Sequence, residues 1–159
     1  PDHERIELDA LHWLSDWQER PRSETHELLR ERVREERWIV DGNYSSHRTV
    51  VWPRADTFVW LNYPRSLVMR QILRRTAGRV VTQEPLWGTN NRETLTRALG
   101  KESVVRWSWN SYARRQSEYP DLLRQQTHAT GLTLEHPRET QGFLKTLDLM
   151  IRDDTISHD

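Results

Sequence analysis

The sequence predicts an α/β fold in which a parallel sheet carries helices on both faces. Short apolar segments typical of strands alternate along the chain with longer, charged segments typical of helices. The apolar segment 38–40 runs directly into Asp41 and Gly42, and parallel sheets bind ligands where their strands end. The alternation therefore predicts the architecture, and the strand end at Asp41 predicts where the function lies.

The first half of the chain is expected to supply three strands and one long helix. Residues 5–8 are a short strand candidate, and Pro21 opens a helix that runs to about Glu36. Segments 38–40 and 56–61 are the second and third strands, because both are rich in β-branched and aromatic side chains.

After the third strand, Pro64 starts a helix that Gly78 is expected to close. A polar stretch punctuated by glycine and asparagine follows, with a short helix expected over 92–99. This insertion, over roughly 79–103, is where the fold departs most from simple strand–helix alternation.

The last third of the chain is expected to contain two helices around a fourth strand. Ser103 caps a long helix, which Pro120 is expected to bend or restart. Residues 132–134 form the last strand, and Pro137 starts the final helix. The polar segment 153–159 is expected to be a flexible tail.

Composition fits one ordinary soluble domain. The 159 residues include 24 Lys+Arg and 24 Asp+Glu, so the chain has no net positive charge to attract nucleic acid. Direct nucleic-acid binding is therefore not expected. The absence of cysteine excludes disulfides and thiolate metal sites and fits a cytoplasmic protein. No apolar run reaches membrane-spanning length, so no membrane partner is expected, and we expect a monomer or weak dimer.

Five segments together carry a resemblance to a known family. They are IELDALHW at 6–13, WIVDGNY at 38–44, WPRAD at 52–56, WLNYPR at 60–65 and WGTNNRE at 87–93. In this order they resemble the topology modulation protein family, P-loop nucleotide-binding proteins similar to adenylate kinase and shikimate kinase. The resemblance implies a three-layer P-loop NTPase fold, adenylate kinase-like, as a single kinase-like domain over 1–152 with a helical lid at about 79–103.

The sequence lacks the first strand and the P-loop with which that family begins. The loop would read G-x-x-x-x-G-K-[ST], whereas the one Gly-Lys pair, Gly100-Lys101, is followed by Glu102. By the resemblance, the missing strand lies between 38–40 and 57–61, and each buried backbone group left unpaired there costs about 1–3 kcal/mol. We therefore expect an N-terminally truncated chain, with a genuinely loop-less relative as the alternative.

The resemblance implies that the complete protein is an ATP-dependent phosphotransferase. It would use ATP and Mg²⁺ to transfer a phosphoryl group to a small-molecule acceptor, by positioning and charge neutralisation. The chain alone is expected to be inactive. Two alternatives stay open: a non-catalytic nucleotide-dependent regulator linked to DNA topology, and a loop-less structural remnant.

Two aspartates are the candidate metal-associated groups. Asp41 ends an apolar strand and resembles the magnesium carboxylate of P-loop kinases, although aspartate also caps turns. Asp9 follows the first strand and could hold the acceptor hydroxyl or a metal-bound water, or cap a turn. By the resemblance, the candidate acceptor-binding residues are Asp9, His12, Trp13, Asn43, Tyr44 and Arg48.

Arginines on two helices are the candidate catalytic groups. Those before the insertion are Arg70, Arg74 and Arg75, and those after it are Arg114 and Arg115. In adenylate kinase-like enzymes, arginines at both ends of a lid converge on the transferring phosphoryl group, although arginine-rich helices are often only solvated faces. The candidate catalytic residues are Arg70, Arg74, Arg114 and Arg115, and the candidate nucleotide-binding residues are Arg70, Pro137 and Arg138.

Overall fold

The computed structural model describes residues 3–101 and 103–156. The protein is mixed α/β, with two small parallel sheets of two strands each. The chain divides into two compact units: unit 1 comprises Pro1–Ala55 and Thr76–Gly100, and unit 2 comprises Asp56–Arg75 and Lys101–Asp159. No helix within the described ranges is long and apolar enough to cross a membrane.

Unit 1 is built on the first parallel strand pair. Its elements are β1 (Glu4–Glu7), α1 (Leu8–His12), α2 (Arg22–Arg32), β2 (Trp38–Asp41) and α3 (Arg48–Val51), with 3-10 turns at Ser15–Trp17, Ser45–His47 and Trp52–Arg54. Strand β1 pairs with β2 in a register that places Glu4 opposite Trp38 and Glu7 opposite Asp41. Both strands therefore end at the same level.

The core of unit 1 lies around that sheet and helix α2. Its buried side chains are Ile6, Leu8, Leu11, Leu29, Val33, Val50 and Val51. Leu29 and Val33 are four residues apart, so they share the helix face that the sequence predicts to be apolar. The transfer of these side chains from water is the main stabilising contribution to this unit.

Unit 2 is built on the second parallel pair. Its elements are β3 (Thr57–Leu61), the start of α4 (Arg65–Thr82), α6 (Val104–Arg124), β4 (Thr130–Leu134) and α7 (Pro137–Ile156). The short helix α5 (Leu95–Leu99) belongs to unit 1. The register of β3 with β4 places Thr57 opposite Thr130 and Leu61 opposite Leu134. Both strand pairs therefore have the parallel orientation predicted from the sequence.

Two predicted helix boundaries are wrong. Gly78 does not close α4, because the helix continues to Thr82, and a Cβ at Gly78 would meet nothing within 4 Å. Pro120 does not restart the helix, because α6 is one helix from Val104 to Arg124 with Pro120 inside it. One glycine costs about 1 kcal/mol in a helix, and one proline about 3 kcal/mol, so each can be outweighed by the rest of a long helix.

Other boundaries differ by a few residues or agree. Helix α2 ends at Arg32, short of the predicted Glu36. The prediction that Ser103 caps α6 is confirmed, because its side chain accepts a hydrogen bond from the backbone N–H of Val105. The predicted tail at 153–159 is helical as far as Ile156, and its remaining residues lie outside the described ranges.

Candidate functional site

The carboxyl ends of β1 and β2 bring two predicted site residues together. Asp9 comes two residues after β1, and Tyr44 comes three residues after β2. The Tyr44 hydroxyl donates a hydrogen bond of 2.6 Å to Oδ1 of Asp9. Side chains that are far apart in sequence thus meet where parallel strands end, the position at which α/β proteins bind ligands.

Gly42 determines how the chain leaves β2. Its φ is +118°, a backbone conformation that side-chain-bearing residues rarely adopt, and an added Cβ would lie 2.9 Å from the Cβ of Leu8. Leu8 is a core residue, so the loop passes directly over the packed interior. Only glycine satisfies both conditions without strain, and Tyr44 reaches Asp9 from the loop that follows.

Tyr44 is held by aromatic neighbours as well as by Asp9. Its ring centroid lies 4.7 Å from that of His12 and 5.5 Å from that of His47. Burial raises the pKa of Tyr44 above its ordinary range, and the hydrogen bond to Asp9 raises it further. The hydroxyl therefore stays protonated and acts as a permanent donor to the carboxylate.

His47 is a buried residue that the sequence does not single out. Its side chain is buried, with the residue 3 % exposed, and neither ring nitrogen has a hydrogen-bond partner among the described residues. Burial lowers the pKa of His47 from 6.5 to about 4, assisted by the nearby His26, His12 and Arg22. The ring is consequently neutral at pH 7, although a histidine in a polar Ser-Ser-His-Arg segment is typical of a surface loop.

His12 and Trp13 border the Asp9–Tyr44 pair. Nε2 of His12 lies 3.8 Å from a carboxylate oxygen of Glu19, and the His12 and Trp13 rings meet edge to face at 4.7 Å. Together with its contact to Tyr44, this places His12 inside the cluster. Asp9, His12, Trp13 and Tyr44 are therefore brought together by direct contacts.

Asn43 and Arg48 form a second pair on the same loop. Nε and Nη2 of Arg48 both donate to Oδ1 of Asn43 at 3.4 Å, and the guanidinium lies 4.9 Å from the ring centroid of Trp52. Arg48 is only partly exposed, so its charge is held close to the loop.

Asp41 is accessible at the end of β2. Its side chain is 66 % exposed, and its nearest cationic neighbour is Nη2 of Arg5, at 4.0 Å. Among the residues that the structure describes, its carboxylate accepts no hydrogen bond from a turn, so the capping alternative has no contact to support it. Exposed ion pairs of this length contribute little to stability.

The predicted catalytic arginines lie on two helices of unit 2. Arg70 and Arg74 are exposed on α4, and neither pairs with an α6 side chain in the described ranges. On α6, Arg114 lies 4.0 Å from Glu118, and Arg115 stacks 4.3 Å above the ring of Trp107. Among the described residues, no hydrogen bond or ion pair joins Arg70 or Arg74 to Arg114 or Arg115.

Arg65 is a residue of this region that the sequence reasoning does not select. Its guanidinium stacks 3.5 Å from the ring centroid of Trp109, and its Nη2 donates to the backbone carbonyl of Trp109 at 2.9 Å. It is the last residue of the 60–65 segment that carries the family resemblance, which is the one signal that could have indicated it.

The segment expected to form a lid packs within unit 1. Asn91 is 1 % exposed, donates to the Leu14 carbonyl at 2.8 Å and accepts from the Trp17 N–H at 2.7 Å. The rings of Trp87 and Trp17 meet edge to face at 5.9 Å. The insertion thus makes fixed polar and aromatic contacts to the 14–17 turn, and its residue Glu102 lies outside the described ranges.

The predicted nucleotide-binding turn follows β4. Pro137 is the first residue of α7, as predicted, and the backbone N–H of Arg138 donates to Nδ1 of His136 at 3.1 Å. Arg138 is exposed, at the carboxyl end of its strand pair. This position is suitable for contact with a ligand, but Arg138 alone does not form a binding site.

The aspartates do not form an enclosed metal site. No group of three or more histidine, cysteine or carboxylate side chains could hold a metal ion within the described part of the chain. Mg²⁺, however, commonly binds through one or two carboxylates together with water and substrate phosphates. The exposed carboxylate of Asp41 fits that kind of binding, whereas it does not fit a metal held by protein ligands alone.

No family model, curated protein or solved structure matches this chain. The arrangement at the ends of β1 and β2 is therefore interpreted from its own chemistry and from the resemblance of its segments.

Proposed function

We propose that this chain is the kinase-like part of an ATP-dependent phosphotransferase of the P-loop class. Mg²⁺ would be its metal, and a small hydroxyl- or phosphate-bearing molecule would be the acceptor. A strand and a G-x-x-x-x-G-K-[ST] loop, which this sequence does not contain, would complete its nucleotide site. Without that loop, the chain alone is expected to be inactive.

The hydrogen bond between Tyr44 and Asp9 is the observation that carries this proposal. It holds an acidic group in one orientation at the carboxyl ends of two parallel strands. A kinase needs such a group to orient the attacking oxygen of its acceptor. Because Tyr44 donates to Oδ1 of Asp9, the second oxygen of the carboxylate can accept a hydrogen bond from the acceptor hydroxyl.

The surrounding side chains suit an acceptor pocket. His12 and Trp13 supply a wall of rings beside Asp9. Arg48, held by Asn43, offers a fixed positive charge for a phosphate or carboxylate on the acceptor. In the proposed enzyme, these residues bind and orient the acceptor, and Tyr44 prevents the Asp9 carboxylate from rotating.

The pairing of the strands also supports the proposal. Strand β2 pairs only with β1, and β3 pairs only with β4, among the strands within the described ranges. Both pairs are parallel, which is the orientation that a P-loop fold requires of its strands.

Asp41 and the arginines would serve the phosphates. When bound, Mg²⁺ neutralises the charge that develops on the phosphoryl oxygens. Asp41 would hold it through an exposed carboxylate. In unit 2, the resemblance makes Arg70, Arg74, Arg114 and Arg115 candidates for contacts to phosphate oxygens, and Pro137 and Arg138 candidates for contacts to the nucleotide.

A phosphoryl-transfer assay tests the proposal. The protein translated from the whole coding sequence is supplied with Mg-ATP and a panel of nucleosides, nucleoside monophosphates and small hydroxylated metabolites. We expect transfer to at least one acceptor and loss of that transfer in Asp9→Asn, which keeps the shape but removes the charge. If the complete protein neither binds Mg-ATP nor transfers phosphate, the proposed function is wrong.

A further inference from the structure

Unit 1 contains a concave site whose residues take no part in the proposed phosphotransfer. Its volume is about 220 Å³. The lining consists of Arg30, Val33, Arg34, Thr49, Val50 and Arg54. Three of these six side chains are guanidinium groups, one is a hydroxyl, and none is a carboxylate.

The three arginines lack the neutralising partners found elsewhere in this unit. Neither Arg30, Arg34 nor Arg54 forms an ion pair with a carboxylate within the described ranges. Arg32, which is on helix α2 with Arg30, does form an ion pair: its Nη1 lies 3.5 Å from Oε1 of Glu4. Like charges around one concavity repel each other, so an anion bound among them is favoured.

Arg54 is anchored at the edge of this site. Its Nε donates a hydrogen bond of 2.7 Å to the backbone carbonyl of Val33, the C-cap residue that follows α2. The bond satisfies one of the carbonyls that a helix end leaves unpaired. Arg54 is thereby held against α2 by one donor, while its terminal amino groups stay available to a ligand.

We propose that Arg30, Arg34 and Arg54 form a binding site for a phosphoryl group, either as inorganic phosphate or on a small phosphate monoester. Guanidinium groups bind such oxyanions with paired, charge-assisted hydrogen bonds, and the Thr49 hydroxyl can add one more. A tetrahedral dianion has oxygens enough to accept hydrogen bonds from more than one of the arginines that line the site. The site shares no residue with the acceptor pocket, so it does not depend on the proposed function.

The test measures binding of inorganic phosphate to the purified chain by titration calorimetry, with a thermal melt in parallel. Sodium chloride at equal ionic strength controls for screening. We expect saturable binding and a rise in melting temperature with phosphate, because a ligand that binds only the folded state stabilises it. Chloride that matches the phosphate effect, or no saturable binding, would overturn the proposal.

Variants in helix α2 and in the turn that follows it locate the site. Arg30→Gln and Arg34→Gln should each weaken phosphate binding roughly tenfold, since each removes a charge-assisted contact. Arg32→Gln is the matched control, because it removes the same charge from helix α2 outside the lining. An equal loss in Arg32→Gln would show general charge attraction and would contradict the assignment.

A second ligand identifies the source of the phosphoryl group. Glycerol phosphate is titrated beside inorganic phosphate, against the same variants. Tighter binding of the monoester assigns the site to a phosphorylated small molecule, and tighter binding of inorganic phosphate assigns it to the free ion. Either result supports the proposal if Arg30→Gln and Arg34→Gln weaken binding of the ligand that binds more tightly. If neither variant weakens binding of either ligand, the proposal is contradicted.

Discussion

The two units are built on parallel strand pairs of nearly equal size, but the cluster of buried apolar side chains found among the described residues lies in unit 1. In unit 1, Ile6 on β1 and Leu29 on α2 are fully buried. In unit 2, Val59 and Leu61 on β3 stay 42 % and 50 % exposed. A two-stranded sheet is marginal in water without a covered face. Unit 1 therefore has a buried apolar core, whereas in unit 2 the face of β3 that carries Val59 and Leu61 is exposed and Phe58 and Trp60 on the other face are half-buried.

Polar side-chain contacts also connect the elements of unit 2. The Tyr112 hydroxyl donates to the backbone carbonyl of Tyr63 at 3.0 Å, and the Tyr63 hydroxyl is hydrogen-bonded to the Thr140 side chain. Such bonds contribute about 1 kcal/mol each, less than a buried leucine. Similar strand pairing is therefore expected to give different stability where apolar side chains are covered in one unit and partly exposed in the other.

Leucine-to-alanine substitutions in the two units should show the largest difference between them in the loss of free energy of unfolding. Leu29→Ala removes a fully buried side chain and should lower the free energy of unfolding by about 2–5 kcal/mol. Leu61→Ala changes a half-exposed side chain and should cost less than about 1 kcal/mol. Urea denaturation followed by tryptophan fluorescence measures both, and equal losses would show that the two units do not differ as described.

Acid should affect unit 1 through His47. The pKa of His47 in the folded chain is about 4, below its ordinary 6.5, so unfolding takes up a proton between these values. The stability that the neutral ring contributes is present above pH 6.5 and is lost as the pH falls towards 4. At about 1.4 kcal/mol per pKa unit, the full loss is roughly 3 kcal/mol.

Thermal melts at pH 7, 5.5 and 4.5 measure this loss in the wild type and in two variants. His47→Phe keeps a buried ring that cannot titrate, and its stability should depend less on pH. The exposed His3→Gln is the control and should behave as the wild type. A His47 ring that titrates near pH 6.5 by NMR in the folded chain would contradict the prediction.

Substitutions at two glycines should give smaller changes in the free energy of unfolding, and the two changes should have opposite signs. Gly42→Ala should destabilise the protein by about 1–3 kcal/mol, because the residue has a φ of +118° and an added Cβ would contact Leu8. Gly78→Ala should stabilise it by up to about 1 kcal/mol, since it lies inside α4 with open space around it. Chemical denaturation of both variants checks the signs, and stabilisation by Gly42→Ala would contradict the tight approach to Leu8.

Much of the fold could be predicted from local patterns. The apolar segments form strands in parallel pairs, Ser103 caps α6 and Pro137 starts α7, because these features depend on a few neighbouring residues. Gly78 and Pro120 were misleading because their local preferences are smaller than the stability of the long helices that contain them. The four strands form two parallel pairs, β1 with β2 and β3 with β4.

The site could be predicted only in part. Asp9 and Tyr44 could be selected because each follows a strand, but their hydrogen bond depends on the register of β1 with β2. The burial of His47 and Asn91 depends on side chains from distant segments, and polar residues in polar segments give no local sign of it. Tertiary packing decided both cases.

The central claim is that the carboxyl end of β2 serves a phosphoryl-transfer site, and Asp41→Asn tests it most directly. Asparagine keeps the shape of the side chain and removes the charge that a hard divalent cation requires. Thermal stability and the Mg²⁺ dependence of ATP-driven transfer are measured on the same preparation of the protein translated from the whole coding sequence. We predict an unchanged melting temperature and a raised Mg²⁺ requirement. Lost stability with normal Mg²⁺ dependence would show that Asp41 is a structural residue and would contradict the account.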